Sequence, residues 1–267
     1  PYVDQKSYDY VIQALSGMAA VQADPATGEP ALLRNIVVDK VTAYTVAQAV
    51  TAALLARERG AGGQRVDVAM LDVALAFLWP DGMMQQTLLG DGVTRGRPMA
   101  DNYLVRRTGD GHIALMAWSD RQFPGLCRAV GHEEWLADPR FATVELREAN
   151  MAELNALVAT ELERRTGDDL VGALRLHDVP CALVQSVDQV HLDPQVQHNA
   201  VLVEHERPHV GWVREPRPAA LFSATPQAIG RHAPALDEHT DQVLTEHGWS
   251  AGELAELRSA GVIGRRR

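Results

Sequence analysis

The side chain best placed for chemistry is Asp39. It follows an apolar triplet, Ile36-Val37-Val38, and opens a long Ala-rich stretch of helical character. Two roles suit a carboxylate there. As a helix N-cap it would accept orphan amides and complement the positive end of the helix dipole. As a nucleophile it would sit at a strand–helix junction that an activated acyl group could reach. A carboxylate that attacks an acyl carbon splits one difficult transfer into two easier steps, and helix amides nearby would steady the negative charge that develops. Position alone favours the cap. Lys6 and Tyr8, ahead of the first helix, say little by themselves, because a lone Lys beside a helix start is normally solvated.

The other reactive residue types form no constellation. His205 and His209 are four apart, but Pro208 between them rules out a helical metal pair. His191, His198 and His239 suit surface or capping roles. Cys127 and Cys181 stand apart, with no Cys-x-x-Cys pair, so neither a zinc site nor a disulfide framework follows from them, and a reducing cytoplasm is the expected setting. There is no Gly-x-Ser-x-Gly elbow, no Walker-type loop and no dinucleotide fingerprint. Gly60, Gly62 and Gly63 mark a turn rather than a phosphate cradle.

The elements that would position Asp39 are read from periodicity and punctuation. Residues 8–20 form a short amphipathic helix closing at Gly17, and a polar loop follows from Asp24 to Pro30. From Val41 to Arg59 the pattern is helical, with Val46, Val50, Ala53 and Leu54 on one face. Gln64–Val68 alternates as a strand. A second helix runs from about Met70 to Trp79, stopped by Pro80. Residues 90–101 form a turn-rich linker. Beyond it, Tyr103–Arg107 and His112–Ala117 read as strands around the hairpin Thr108-Gly109-Asp110-Gly111. Asp120 is a candidate N-cap for a helix at Gln122–Val130. Helices at Met151–Arg164 and Asp168–His177, a strand at Val179–Gln185 and a short helix at Val187–Leu192 follow. Strands at Val201–Glu204 and Gly211–Val213 precede a Pro-rich return. The last of two closing helices carries a capping box, Ser250 with Glu253, and ends before Gly261.

Composition narrows the class. Of 267 residues, 46% are apolar, enough for a buried core, and only 5% are aromatic. The net charge of −10, without a basic stripe, argues against a nucleic-acid partner. Arg265–Arg267 is the only basic run and reads as a solvated tail. No apolar run approaches the ~18 residues that span a membrane.

Several blocks together resemble class III CoA-transferases, the family of formyl-CoA transferase and α-methylacyl-CoA racemase. KSYDYVIQALSG, from Lys6, is similar to the family's segment before its catalytic aspartate. The block beginning DKVTAYTVAQAV, from Asp39, resembles its long helix, glycine turn and following strand–helix. YLVRRTGDGHIALMAWSDRQFPGLCRAVG, with DPRF at 138–141, resembles the start of its small domain, and VPCALVQSVDQVHLDPQV a later part. LDEHTDQVLTEHGWSAGELAELRSAGVI resembles its C-terminal signature. Five blocks in family order are specific where one would be weak.

The resemblance implies an α/β fold: an incomplete Rossmann-like large domain from residues 1–95 and 216–267, and a small α+β domain over 96–215, in a family of interlocked homodimers. It places Asp39 on the catalytic aspartate and Lys6, Ser7, Tyr8 and Asp9 on a CoA-contacting stretch, with Lys6 facing a phosphate or the pantetheine arm and Tyr8 flanking the thioester. It implies acyl-CoA and a carboxylic acid as substrates, no permanently bound cofactor, no metal, no nucleic acid, no membrane and a cytoplasmic setting. Two departures bear on the reaction. Where the racemases carry a His, this chain has Tyr8, a poor acid–base partner near pH 7, which favours transfer over racemisation. The glycine-rich substrate loop of formyl-CoA transferase is replaced by the short GRPMADNYL, so formyl or oxalyl specificity is not implied. The chain also starts after the family's nucleotide-binding segment. Two alternatives therefore stand: an α-methylacyl-CoA racemase, and a non-catalytic fragment or subunit whose partner supplies that segment.

Overall fold

A computed structural model describes residues 1–264 apart from Val3, Thr94, His209, Ala228, Ile229, Arg231 and His232. The expectations placed on His209 and on the Arg265–Arg267 tail lie outside the described residues. The mixed α/β class is met by many helices and two small antiparallel sheets. Contacts within the chain divide it into two compact units, Pro1–Val184 and Gln185–Arg267.

The first unit opens with α1 (Asp9–Leu15) and α2 (Met18–Val21), separated at Gly17, whose φ of 84° is the left-handed turn only glycine adopts cheaply. α3 (Val37–Ala56) is longer than the sequence suggested. Its first turn already contains Val37 and Val38, so Asp39 is the third helical residue and Ile36 holds the N-cap position. The junction ahead of Asp39 is thus loop-to-helix, not strand-to-helix. After a π-helical turn at Arg57–Ala61, Gln64–Val68 pairs with no strand among the described residues. Alternation favours extended backbone, but a strand also needs a hydrogen-bonding neighbour. α4 (Met70–Gly82) runs through Pro80 rather than stopping there, because a proline two residues from the helix end removes a single bond from an already fraying turn.

Ile12, Met18, Val38, Ala74 and Leu78 form a small apolar cluster joining α1, α2, α3 and α4. The predicted apolar face of α3 is largely open: Val46, Val50 and Leu54 are 41%, 46% and 46% exposed, and Ala53 is half-buried. Helical spacing identifies a face but not what covers it.

The larger core lies beyond residue 104. β1 (Val105–Arg107) and β2 (His112–Leu115) form the expected hairpin, and β3 (Cys181–Leu183) pairs antiparallel with β2. The hairpin loop is tied down: Gly109 N–H donates to the Arg165 carbonyl at 2.7 Å and Gly167 N–H to Asp110 at 2.8 Å. Around the sheet pack α5 (Phe123–Val130), α6 (Val144–Ala149), α7 (Met151–Glu163) and α8 (Gly167–Leu176). Ile113, Phe123, Leu126, Phe141, Leu154, Val158, Leu162, Leu170 and Leu174 fill the interior. Asp120 does not cap α5: Gln122 holds the N-cap position without a side-chain cap, and the Gln122 and Phe123 N–H groups donate to the Ser119 carbonyl at 3.0 and 2.9 Å. Asp120 instead pairs with Arg147. That guanidinium is 2% exposed and donates to the Trp118 and Phe141 carbonyls at 3.0 and 2.9 Å, over the Phe123 ring. A buried charge so supplied with acceptors is tolerable where an unpaired one is not.

In the second unit, the short helix expected at Val187–Leu192 is a single 3₁₀ turn, Val190–Leu192. α9 (Pro194–His198) leads into the ribbon of β4 (Leu202–Arg207) and β5 (Gly211–Pro216), with Arg207 opposite Gly211. α10 (Thr240–Glu246) and α11 (Ala251–Ser259) close the chain, and the capping box at Ser250 and Glu253 forms.

Candidate active site

The site is built where α1 meets the start of α3. Val38 is fully buried in the α1–α4 cluster, and the adjacent Asp39 turns outward into solvent. A carboxylate in the first turn of a 20-residue helix sits in the field of the helix's unpaired amides.

The first turn has no side-chain cap of its own. Asp9, the first residue of α1 and 5% exposed, supplies one from outside: its Oδ2 accepts the Asp39 N–H at 2.9 Å. Its Oδ1 accepts from Gln13 Nε2 at 2.6 Å. Gln13, one helical turn on and 1% exposed, fastens the loop before α3 as well. It donates to the Leu33 and Asn35 carbonyls at 3.3 and 3.1 Å and accepts the Leu33 N–H at 2.9 Å. Lys40 is held beside the site by its 2.7 Å bond to Asn35 Oδ1.

Of the residues singled out by sequence, the structure therefore brings Asp9 and Asp39 together through the helix backbone. Lys6 and Ser7 lie exposed in the approach to α1. Tyr8 occupies the N-cap position of α1, 67% exposed, its ring stacked on Tyr10 with centroids 6.0 Å apart. Gln13 was not anticipated. Its signal was a polar pair, Asp9 and Gln13, four residues apart on one face of an otherwise apolar helix.

The thiols are poor candidates for a nucleophile. Burial pushes Cys127 up to about 12 and raises Cys181 as well, and a thiol so shifted carries almost no thiolate at neutral pH. Among the described residues no group of three His, Cys, Asp or Glu could hold a metal ion, and no helix is long and apolar enough to cross a membrane.

A sequence model described as CoA-transferase family III matches residues 1–240. The chain belongs to that family. Within it, the chain is 32% identical over 249 residues to a succinate–glutarate CoA-transferase of Agrobacterium fabrum, covering 92% of this chain and 62% of that protein. It is 28% identical over 287 residues to a formyl-CoA:oxalate CoA-transferase of Escherichia coli, covering 98% of this chain and 68% of the relative. The crystal structure of Rv3272 from M. tuberculosis superimposes with a TM-score of 0.75 at 27% identity, over 90% of this chain and 64% of that one. A CAIB/BAIF family protein from Brucella suis gives 0.74 at 27% identity, over 92% and 64%. The chain thus spans a little under two thirds of the length of several of the family members it matches, as the 62% and 64% figures state.

Proposed function

We propose that this family III chain carries the nucleophile of a CoA-transferase that moves CoA between an acyl-CoA and a carboxylic acid. The observation that carries the reading is the exposed Asp39 carboxylate on the first turn of α3, whose backbone is fixed by Val38 on one side and Asp9 on the other.

In the proposed sequence an Asp39 oxygen attacks the thioester carbon, the C–S bond breaks and CoA leaves as thiolate. The resulting mixed anhydride is attacked at the aspartyl carbonyl by that thiolate, which releases the donor acid and leaves Asp39 as a CoA thioester. An incoming carboxylate attacks this thioester, expels CoA and forms a second anhydride. CoA then takes the new acyl group and frees Asp39. Each tetrahedral intermediate carries negative charge next to the first-turn amides of α3. Lys6, Ser7 and Tyr8, exposed ahead of α1, suit the CoA-facing stretch, with Asp9 its inward end. The acceptor class is a small carboxylic acid, supported by the acids named in the two relatives, and the short 96–104 segment directs attention to succinate and glutarate before formate or oxalate. On the same reading CoA is a substrate and no cofactor or metal is held permanently. The protein works as a homodimer in the cytoplasm, where unpaired Cys127 and Cys181 are at home, in the three segments 1–95, 96–215 and 216–267.

The test is CoA exchange between acyl-CoAs and free acids, with hydroxylamine added to trap an enzyme-bound thioester. Asp39→Ala is expected to lower exchange about 1,000-fold or more, the scale for loss of a covalent nucleophile, and to abolish trapping. Exchange that persists in Asp39→Ala leaves Asp39 a first-turn helix acid and removes the reading. Solvent deuterium appearing at the substrate α-carbon, without exchange, would point to racemisation instead.

A further inference from the structure

We infer that Asp9 and Gln13 are positioning residues for Asp39: two buried side chains of α1 that set the backbone from which the nucleophile projects. The inference rests on the transferase reading of Asp39 and deepens it, adding Gln13 and giving Asp9 a positioning role toward the nucleophile rather than a contact with substrate. Asp9 is 5% exposed and Gln13 1%, so neither meets a substrate from solvent as Asp39 can. Every polar contact they make in the structure is directed at α1 itself, at the α3 approach or at α3. Asp9 spends one oxygen on the Asp39 N–H at 2.9 Å and the other on Gln13 at 2.6 Å. Gln13 uses its amide oxygen on Leu33 N–H and its amide nitrogen on the Leu33 and Asn35 carbonyls. Together they bind both sides of the α3 entry, residues 33–35 and residue 39, to one face of α1.

The chemistry explains why a charged acid is used. α3 starts without a side-chain cap, so its first-turn amides would seek water or shift. A carboxylate makes a stronger bond to a helix amide than a neutral acceptor does, and burial strengthens it further. The amide it takes belongs to Asp39 itself, so the bond fixes the Cα from which the nucleophilic carboxylate extends. Attack on a thioester depends on approach distance and angle, and displacement of about 1 Å can cost about 100-fold in rate. Val38 alone cannot supply that accuracy, since apolar packing is non-directional.

Size-preserving variants test this, Asp9→Asn and Gln13→Met, each compared with wild type and Asp39→Ala in the whole protein. Asp9→Asn disturbs the pairing because its amide nitrogen must face either the Asp39 N–H or the Gln13 amide nitrogen. For each variant kcat falls about 10- to 100-fold while KM for acyl-CoA stays within about twofold, the signature of an interaction that matters in the transition state. Amide exchange over residues 33–40 quickens, with exchange in residues 113–179 unchanged. A merely structural role would lower the amount of folded enzyme but leave its kcat intact. Unchanged kcat in both variants, with Asp39→Ala inactive, overturns the positioning role alone. Activity in Asp39→Ala overturns the transferase reading and this inference with it. Should Asp9→Asn not fold, Gln13→Met with the 33–40 exchange measurement decides between the same outcomes.

Discussion

Two aspartates thirty residues apart illustrate how environment divides one chemistry into two jobs. Asp39 keeps its carboxylate in solvent, and Asp9 gives both oxygens to internal donors. A residue-scale effect of the same kind, at a site away from α3, can be followed by titration. His132 Nδ1 lies 2.6 Å from Glu134 and Nε2 3.4 Å from Glu161, with the ring stacked on Trp135. The hydrogen bond to Glu134 raises the His132 pKa above its ordinary value; burial opposes this and Glu161 assists. A folded-state pKa raised above the unfolded one means that the stabilisation is complete below the unfolded value of about 6.5 and is lost as pH rises through the folded value. At the acid end the same bond lowers Glu134, so its share is lost only as pH falls through that depressed value. The urea midpoint of His132→Gln should therefore sit furthest below wild type near pH 6 and converge on it by about pH 9. A gap that does not change with pH would show that the ring acts through its stack on Trp135 alone.

At the scale of elements, what was legible followed local rules. The Thr108–Gly111 hairpin, the Ser250 capping box and the helix break at Gly17 each depend on a few adjacent residues, and each formed. What was not legible needed a distant partner. Asp120 resembled a cap until Arg147, far along the chain, claimed it. The cap of α3 came from α1, and no local pattern around Asp39 announces it. Glycines show the same division. Gly125 sits inside α5, where sequence suggests only a weak helix position, but a Cβ there would lie 2.3 Å from the His177 carbonyl oxygen and 2.9 Å from Val179 Cγ2. α5 therefore approaches the end of α8 closely enough to exclude a methyl group. Gly172, inside α8, would place a Cβ in open space. Gly125→Ala should cost about 1–3 kcal/mol, the range for forced overpacking. Gly172→Ala should be neutral or stabilising by up to about 1 kcal/mol through helix propensity. Urea unfolding of the pair distinguishes packing from propensity: equal shifts in the same direction would mean that α5 and α8 do not meet as described.

At the scale of the whole molecule, burial is unevenly distributed, and the order of local stability should follow it. The fifteen-residue cluster from Ile113 to Val179 joins a sheet to the surrounding helices, whereas the cluster holding the first turn of α3 has five buried members. Among the described residues of 185–264, Leu254 alone is buried. Sequence composition did not reveal this gradient, because Val, Leu and Trp are spread through all three regions while only tertiary packing decides which are covered. Trp212, at 75% exposed in β5, and Trp135, at 8%, have the same side chain and opposite fates. Opening free energy tracks the apolar contacts a segment must break, so native-state amide exchange should be slowest within 113–179, faster in α1–α4 and fastest in 185–264. Limited proteolysis should cut first beyond Val184 and leave a resistant product that retains the hairpin and α5 to α8. The intermediate rank of α1–α4 is the informative part. It predicts that Val38→Ala, which empties the centre of the small cluster, speeds exchange across the α3 entry and leaves the 113–179 amides unmoved. Equal acceleration in both regions would mean that the two clusters unfold as one cooperative block, and that the helix carrying Asp39 is as firmly held as the core.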